Sequence, residues 1–421
     1  MKTSCRLKLY LSFILTFIVI ASTYAQKVNK YDADSLQRVW QQYFDSIATV
    51  KRVAFLELFE NIPVDTTGTI NMSGLHLENL PDISRFNNIY AIDAQGNKLA
   101  KVPGKLLKID SLKRVNLSNN ELKRICFPRN TTIESLDLSK NNFRRIPRSI
   151  KRLKHLNYLT ISDNQIKHIP YFLKRMQKLN SIEVNFNQIK PNKRDIKRLK
   201  NIEILVMAGN NITELPENIN DLEKIKKLNF SKNKLTSLPP NFALLDSLEI
   251  IIFYQNEFDH IPLEITQIPT LKIIDFYYNH ISEIPDKVGN LQNLTMIFLA
   301  YNDIEVLPDT LRSLQKLKAF YIHDNQVRYI HAWVTNFKHL EVLDISYNKL
   351  FSIPDMSKMP ALYEVDMQEN NIEYFPWKLI DKPNLRLLII RGNPFLLDED
   401  ENDEIKNKID EKRAAGVVII D

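Results

Sequence analysis

Residues 156–170, LNYLTISDNQIKHIP, decide the fold of this chain. Counted from Leu156 as position 1, the segment has apolar residues at positions 1, 4, 6, 11 and 14, asparagine at position 9 and proline at position 15. The same pattern recurs along most of the sequence, and from Asn141 to Asn348 every step is 23 residues. Its position-9 asparagines are Asn97, Asn120, Asn141, Asn164, Asn187, Asn210, Asn233, Asn256, Asn279, Asn302, Asn325, Asn348, Asn370 and Asn393. The chain is therefore an array of repeats.

Each repeat begins with an alternation that predicts a short strand. Positions 4 and 6 are apolar and face the interior, whereas positions 5 and 7 face solvent, with positions 3 and 8 beside them. Position 9 follows the strand, where an asparagine amide can satisfy backbone groups of its own coil and of the adjacent one. The apolar-proline step that comes next, as at Ile146-Pro147, favours extended or turn-like backbone. The repeats are thus predicted to stack with their strands parallel.

This pattern resembles the leucine-rich repeat, in the 23-residue form L-x-x-L-x-L-x-x-N-x-L-x-x-L-P-x-x-I-x-x-L. About fifteen units match it, from residue 69 to about residue 395. The resemblance implies an α/β solenoid, or horseshoe, with a parallel concave sheet and short irregular or 3-10 segments on its convex side. It also implies a binding protein, since leucine-rich-repeat proteins are known mainly for holding proteins, and sometimes glycans, on the concave sheet.

The sequence on either side of the repeats predicts a leader and two caps. Residues 1–25 combine basic residues, an apolar run and small residues, which predicts a signal peptide cleaved after Ala25. Residues 26–68 carry an apolar stripe at helical spacing, which predicts a helical N-terminal cap, with a partner-binding helix as the alternative. Residues 396–421 predict a C-terminal cap of one helix and one strand. We expect a secreted or extracytoplasmic bacterial protein, periplasmic or on the cell surface, with no transmembrane anchor after cleavage.

Aromatic residues concentrate at the solvent-facing strand positions of five adjacent repeats. They are Tyr254, Tyr277, Tyr278, Phe298, Tyr301, Tyr321 and Tyr347, with His323 among them. Because neighbouring strands lie about 4.8 Å apart, these side chains should form one patch. In earlier repeats the same positions are polar, as at Asn116 and Ser139. We predict that the patch binds a protein partner; the alternatives are a glycan ligand, or aromatic residues that merely favour strands.

Charge is distributed unevenly along the chain. Residues 101–200 contain 25 Lys and Arg against 7 Asp and Glu, whereas residues 201–421 contain 22 against 34. Most of the basic residues follow position 9 and therefore lie away from the concave sheet. Three interpretations stay open: a site for an anionic glycan, another anionic envelope polymer such as lipopolysaccharide, or a nucleic acid; a solvated face; and a contact with the acidic half of a second copy.

Little in the composition points to catalysis. The 421 residues include only 8 glycines, so phosphate-cradling loops are poorly supplied, and the sequence has neither a nucleotide-binding nor a hydrolase motif. Two cysteines, Cys5 and Cys126, do not make a thiolate zinc site. Cys126 replaces the proline of position 15, where we expect a small buried thiol. The sequence predicts a non-enzymatic protein with no cofactor, metal or nucleotide.

Overall fold

A computed structural model describes residues 33–129, 132–396 and 399–421. The predicted signal peptide, residues 1–25, lies outside the described residues. The chain divides into two compact units, Met1–Ile166 and Lys167–Asp421. Both units are built from short parallel strands that pair in the order of the sequence. This is the leucine-rich-repeat solenoid that the sequence predicts.

The first unit opens with helix α1 (Ala33–Phe59), which precedes the first strand. Its strands are β1 (Thr67–Asn71), β2 (Asn88–Asp93), β3 (Arg114–Asn116), β4 (Ser135–Asp137) and β5 (Tyr158–Thr160). The segments between them include 3-10 turns at Ile83–Arg85, Gly104–Leu107 and Arg148–Arg152. Each of these strands pairs with its sequence neighbour in parallel.

The second unit continues the same construction. Its strands are β6 (Ser181–Glu183), β7 (Ile204–Val206), β8 (Lys227–Asn229), β9 (Ile250–Ile252), β10 (Ile273–Asp275), β11 (Met296–Phe298), β12 (Ala319–Tyr321), β13 (Val342–Asp344), β14 (Glu364–Asp366), β15 (Leu387–Ile389) and β16 (Val418–Ile420). Its helices are α2 (Lys193–Arg198), α3 (Trp377–Ile380) and α4 (Glu399–Ala414). Its 3-10 turns are Tyr171–Arg175, Ile219–Asp221, Pro240–Leu244, Ile265–Gln267, Asp286–Asn290, Asp309–Ser313 and Ala332–Asn336. In register, Ile273 of β10 pairs with Met296 of β11, so partners are 23 residues apart.

The interior of each repeat is filled by the residues at its apolar positions. At positions 4 and 6 of the β10 repeat, Ile274 and Phe276 have no exposed surface. Phenylalanines of successive repeats touch inside the second unit, with ring centroids of Phe253 and Phe276 5.3 Å apart. Burial of such side chains stabilises each coil by about 1.5–3 kcal/mol per residue, before conformational entropy is subtracted. The strands are therefore held rigidly, and their outward positions have fixed spacing.

The position-9 asparagines form a buried ladder that joins consecutive coils. Asn302, for example, accepts a hydrogen bond at Oδ1 from the Ile281 amide of the preceding repeat, at 2.9 Å. Its Nδ2 donates to the carbonyls of Phe276 and Leu299, at 2.9 and 3.0 Å. One side chain thus pairs backbone groups of two coils, as the sequence predicts, and unpaired groups there would cost about 1–3 kcal/mol each.

Helix α1 contacts the first coil mainly through its C-terminal end. Phe59 is almost fully buried and its ring lies 5.6 Å from that of Phe86, edge to face. Farther toward the N-terminus, Trp40 and Phe44 are more than half exposed and lie against each other, at 6.2 Å. The predicted apolar stripe is therefore covered only in part.

The C-terminal segment adds a helix and a strand to the last repeat. Strand β16 pairs in parallel with β15, and Arg413 of α4 donates a hydrogen bond to the Ile419 carbonyl at 2.8 Å. Ile405 and Ile409, one turn apart on α4, are buried. None of the helices in the described ranges combines the length and the apolar character that a membrane crossing requires.

One expectation about the convex segments is wrong. Cys126 is exposed, because it lies between the buried residues Ile125 and Phe127 on an extended segment whose alternate side chains point outward. The convex segments also vary locally: where Asn192 and Lys193 stand in place of the apolar-proline step, the segment is α-helical. Asn192 accepts hydrogen bonds from the amides of Arg194 and Asp195, and the Asp195 carboxylate accepts one from the Asn192 amide, which makes a capping box.

Candidate functional site

Position 8, the residue just before the ladder asparagine, has a positive φ in every repeat from Gly74 to Gly392. This left-handed conformation is easiest for glycine, asparagine and aspartate, and a bulky residue adopts it at a cost of about 1–3 kcal/mol. In the second unit, aromatic residues nevertheless occupy it at Phe186, Tyr278, Tyr301 and Tyr347, with φ values between 47° and 56°. Packing or binding must compensate for the conformational cost of an aromatic residue at position 8.

The predicted site residues lie side by side on the solvent-facing side of the sheet in the second unit. We call this set the aromatic face: Tyr254, Tyr277, Tyr278, Phe298, Tyr301, Tyr321, His323 and Tyr347. The rings of Tyr278 and Tyr301 stack at a centroid distance of 4.1 Å and an interplanar angle of 13°. Tyr254 lies 5.8 Å from Tyr277 and from Tyr278. These contacts make a continuous surface across β9, β10 and β11.

A polar relay crosses this surface at position 7. The Tyr277 hydroxyl lies 3.0 Å from Nε2 of His323, two repeats farther along, and His323 Nδ1 lies 2.8 Å from Asp344 Oδ2. The second contact has the distance of an ion pair without the alignment of a hydrogen bond. Between the two rings, position 7 is Ala300, which is fully covered. A larger residue there would occupy the space that the two rings share.

The remaining aromatic-face residues extend the surface on either side. Phe298 and Tyr321, which face each other at position 5 of adjacent strands, stack at 4.9 Å with an angle of 4°. Tyr347 is 43% exposed. It borders, with Tyr301 and Asp324, a shallow groove of about 410 Å³ beside the strand ends. Of the eight predicted residues, seven are therefore in ring contact with another, and Tyr347 lies at the margin.

Several groups of the aromatic face have a raised pKa, and burial contributes to each shift. It raises the pKa of Tyr277 to about 12 and, together with neighbouring carboxylates, raises the pKa of Tyr321. For Tyr301, the hydrogen bond with Tyr278 is the main cause and burial the second, and both raise its pKa. Burial also raises the pKa of Asp275, at position 5 of β10, to about 6. At neutral pH these phenols are uncharged, and each retains a hydroxyl that can donate a hydrogen bond.

Two further residues belong to this surface: Phe186, which the sequence places in a second, smaller concave cluster with Ile204 and Val206, and Lys232, whose role the sequence pattern does not reveal. The Lys232 ammonium lies 5.9 Å from the ring centroid of Phe186 and 6.0 Å from that of Tyr254, so it bridges them by cation–π contacts. Phe186 lies directly over Gly209, where a Cβ would be 2.4 Å from the ring. Position 8 of three consecutive repeats is occupied by Phe186, Gly209 and Lys232. A comparison of the residues at position 8 along the array is the signal that could have found this contact.

The described residues contain no cluster of three or more histidine, cysteine, aspartate or glutamate side chains that could hold a metal ion. His323 and Asp344 are the only such groups in the relay of the aromatic face described above. Their neighbours there are tyrosines, which suit recognition by contact and hydrogen bonding.

Family models match this chain in three places. One leucine-rich-repeat model matches residues 131–189 and 269–327, and a second matches residues 339–359. Together with the stacked parallel strands and the asparagine ladder, these matches show that the chain is a leucine-rich-repeat protein. No curated protein matches the sequence significantly.

Several solved structures are similar in fold. A leucine-rich-repeat protein of Leptospira interrogans has a TM-score of 0.72 at 23% identity, covering 83% of this chain and 94% of its own. The functional domain of InlJ from Listeria monocytogenes has a TM-score of 0.53 at 18% identity, covering 69% and 64%. The plant peptide hormone receptor RGFR1, solved in complex with RGF2, has a TM-score of 0.55 at 20% identity, covering 78% and 61%. At these identities the likeness concerns the fold alone.

Proposed function

We propose that this is a non-enzymatic recognition protein that binds a protein partner through the aromatic face. The observation that carries the proposal is the stacked pair Tyr278 and Tyr301, two large side chains held in left-handed backbone on a surface that faces solvent. Strand propensity does not account for them, because their conformation is not that of a strand. Selection for contact with a partner would account for these two side chains.

The chemistry of the surface suits a folded or extended polypeptide. Tyrosine offers a large contact area with few rotors and one hydroxyl, and aromatic residues are enriched at the centres of protein interfaces. The stacking of the rings and the Tyr277–His323 contact reduce the freedom that would be lost on binding. Tyr278 and Tyr347 retain 41% and 43% of their surface for a partner.

The comparisons agree with this proposal without naming a partner. RGFR1 is a receptor of similar fold that was solved with a peptide hormone, so such a fold can hold a polypeptide ligand. The protein of Leptospira interrogans and InlJ are bacterial. We further propose that this protein acts outside the cytoplasm of a bacterium, that residues 1–25 are its signal peptide, and that residues 26–68 and 396–421 cap the repeats at 69–395.

The test is affinity capture with a matched pair of variants. The protein is immobilised and exposed to extracts of neighbouring or host cells, with and without prior protease treatment. Tyr278→Ser/Tyr301→Ser removes the stacked pair, whereas Tyr329→Ser/Tyr374→Ser removes two exposed tyrosines at position 13, away from the sheet. We expect protease-sensitive capture that the first variant loses by at least about tenfold and the second retains.

Other outcomes would redirect or overturn the proposal. Capture that survives protease treatment but is lost with the stacked pair would identify a glycan ligand, since aromatic rings also pack on sugar faces. Equal capture by both variants would show that the aromatic face is structural. A urea-unfolding curve for each variant separates loss of contact from loss of fold.

A further inference from the structure

A second candidate site lies in the first unit, on the side of the coils that follows position 9. It is a groove of about 710 Å³, which is the size of a small-ligand site. We call it the basic groove; it is lined by Lys123, Arg124, Ile125, Cys126, Arg144, Arg145, Ile146, Pro147, Arg148, Ser149, Lys151 and Arg152. Seven of these twelve residues are basic and none is acidic.

The positive charges of the basic groove have no carboxylate partners among the residues that the structure describes. Within the described parts of the chain, none of the seven basic side chains forms an ion pair, although ion pairs are frequent elsewhere, as at Lys226 and Glu203. Arg152 is anchored, because its Nη1 donates to the Phe127 carbonyl at 2.8 Å and lies 3.5 Å from Cys126 Sγ. Arg144, Arg145 and Arg148 are exposed. Their mutual repulsion is left uncompensated, which favours binding of an anion.

The composition of the basic groove narrows the class of ligand. Five of its cations are arginines, whose planar guanidinium groups match the oxygen pairs of phosphate and sulfate. No aromatic ring lines it, so it lacks the stacking platform on which single-stranded nucleic acids rest. Its limited volume suits a few oxyanion groups held close together better than a long duplex.

We propose that the basic groove binds clustered phosphate or sulfate groups, two or more held side by side in one compound or on one lipid surface, with Arg144, Arg145 and Arg148 as the main contacts. This site is independent of the aromatic face, which lies in the other unit. The shared chemistry could come from a soluble polyphosphorylated compound or from a lipid headgroup, and the experiment below distinguishes the two sources.

Cys126 supplies a local readout, because its exposed thiol lines the basic groove. The protein is alkylated with neutral iodoacetamide, and the rate at Cys126 is followed by peptide mass spectrometry. Inorganic tripolyphosphate at about ten times its dissociation constant should slow the reaction by about tenfold, since only unoccupied grooves react. Vesicles of phosphatidic acid, compared with vesicles of phosphatidylcholine, test the lipid source in parallel.

The variants carry equal changes of charge. Arg144→Gln/Arg145→Gln/Arg148→Gln should weaken tripolyphosphate binding at least about tenfold, because charge-assisted contacts are lost. Lys234→Gln/Arg328→Gln/Lys349→Gln removes three exposed cations from the second unit and should leave protection unchanged.

Each outcome either supports or overturns the proposal. Protection by tripolyphosphate alone supports a soluble ligand, and protection by phosphatidic acid vesicles supports a headgroup. A third arm uses single-stranded DNA. Protection in none of the arms, equal loss in both triple variants, or protection by single-stranded DNA alone overturns the proposal. The arms with tripolyphosphate and with vesicles use the unaltered protein, so they test the proposal even if a variant fails to fold.

Discussion

Replacement of Asn302 by alanine tests the asparagine ladder most directly. The Asn302 Oδ1 is the partner of the Ile281 amide, which would become an unpaired buried donor at a cost of about 1–3 kcal/mol. The carbonyls of Phe276 and Leu299 would each lose one bond but keep another, from Asn279 and Asn325 respectively. Those two losses add about 0.5–1.5 kcal/mol each. We therefore expect Asn302→Ala to lower the free energy of unfolding by about 2–6 kcal/mol.

The assay is urea unfolding followed by circular dichroism, with hydrogen exchange at the Ile281 amide as a local readout. Asn293→Ala is the control, since Asn293 also donates to a carbonyl of the preceding repeat, that of Pro269, but at an exposed site. It should cost less than about 1 kcal/mol. If Asn302→Ala cost no more than the control, or if the Ile281 amide stayed protected, the ladder would not stabilise the coils as argued.

Two further predictions concern the β10 and β11 repeats. Leu299 is buried and Tyr301 faces outward, so Leu299→Ala should cost about 2–5 kcal/mol in urea unfolding and Tyr301→Ala much less; equal losses would contradict the assignment of inward and outward positions. Burial raises the pKa of Asp275 from 3.8 to about 6, so the folded state holds this proton more tightly than the unfolded state does. The stability that this protonation contributes is present below about pH 4 and is lost as the pH rises through 6. Asp275→Asn cannot ionise and keeps an oxygen for the Tyr277 amide, so it should be more stable than the original protein by up to about 3 kcal/mol at pH 7.5 and equal to it at pH 4. A gap that did not change with pH would show that ionisation is not the cause.

Periodicity was sufficient to predict the coil interior and the ladder. Phe276 and Asn279 are buried because their repeat positions leave no other place for them, and any repeat of the array would have led to the same result. Non-periodic residues were harder to place. Cys126 was expected inside on account of its residue type, whereas the alternation of its neighbours decided its direction. The Asn192–Asp195 capping box was visible in the sequence as two polar residues three apart, and it predicts the helix that replaces the irregular segment.

The aromatic face shows which part of a site escapes sequence analysis. Its members follow from the outward positions of the repeat, and their adjacency follows from strand spacing. The left-handed backbone of Tyr278 and Tyr301 does not follow from the sequence. Residues of many types fill position 8, and glycine does so in only a few repeats. The relay from Tyr277 to His323 depends on the small side chain of Ala300, which has meaning only once three coils are stacked.

The asparagine ladder also has a direction, and this bears on how the array can be cut. The asparagines from Asn97 to Asn164 and from Asn210 to Asn393 accept from an amide of the coil before them, as Asn97 does from Leu77. The β1 repeat, which follows helix α1, has Leu75 at this position and so has no earlier coil to serve. Shortening the array from its N-terminal end would leave every remaining amide with its asparagine acceptor, whereas shortening it from the C-terminal end would remove the acceptor of the last coil. A designed fragment therefore needs a cap over its apolar interior at both ends, and at its C-terminal end it also needs an added asparagine.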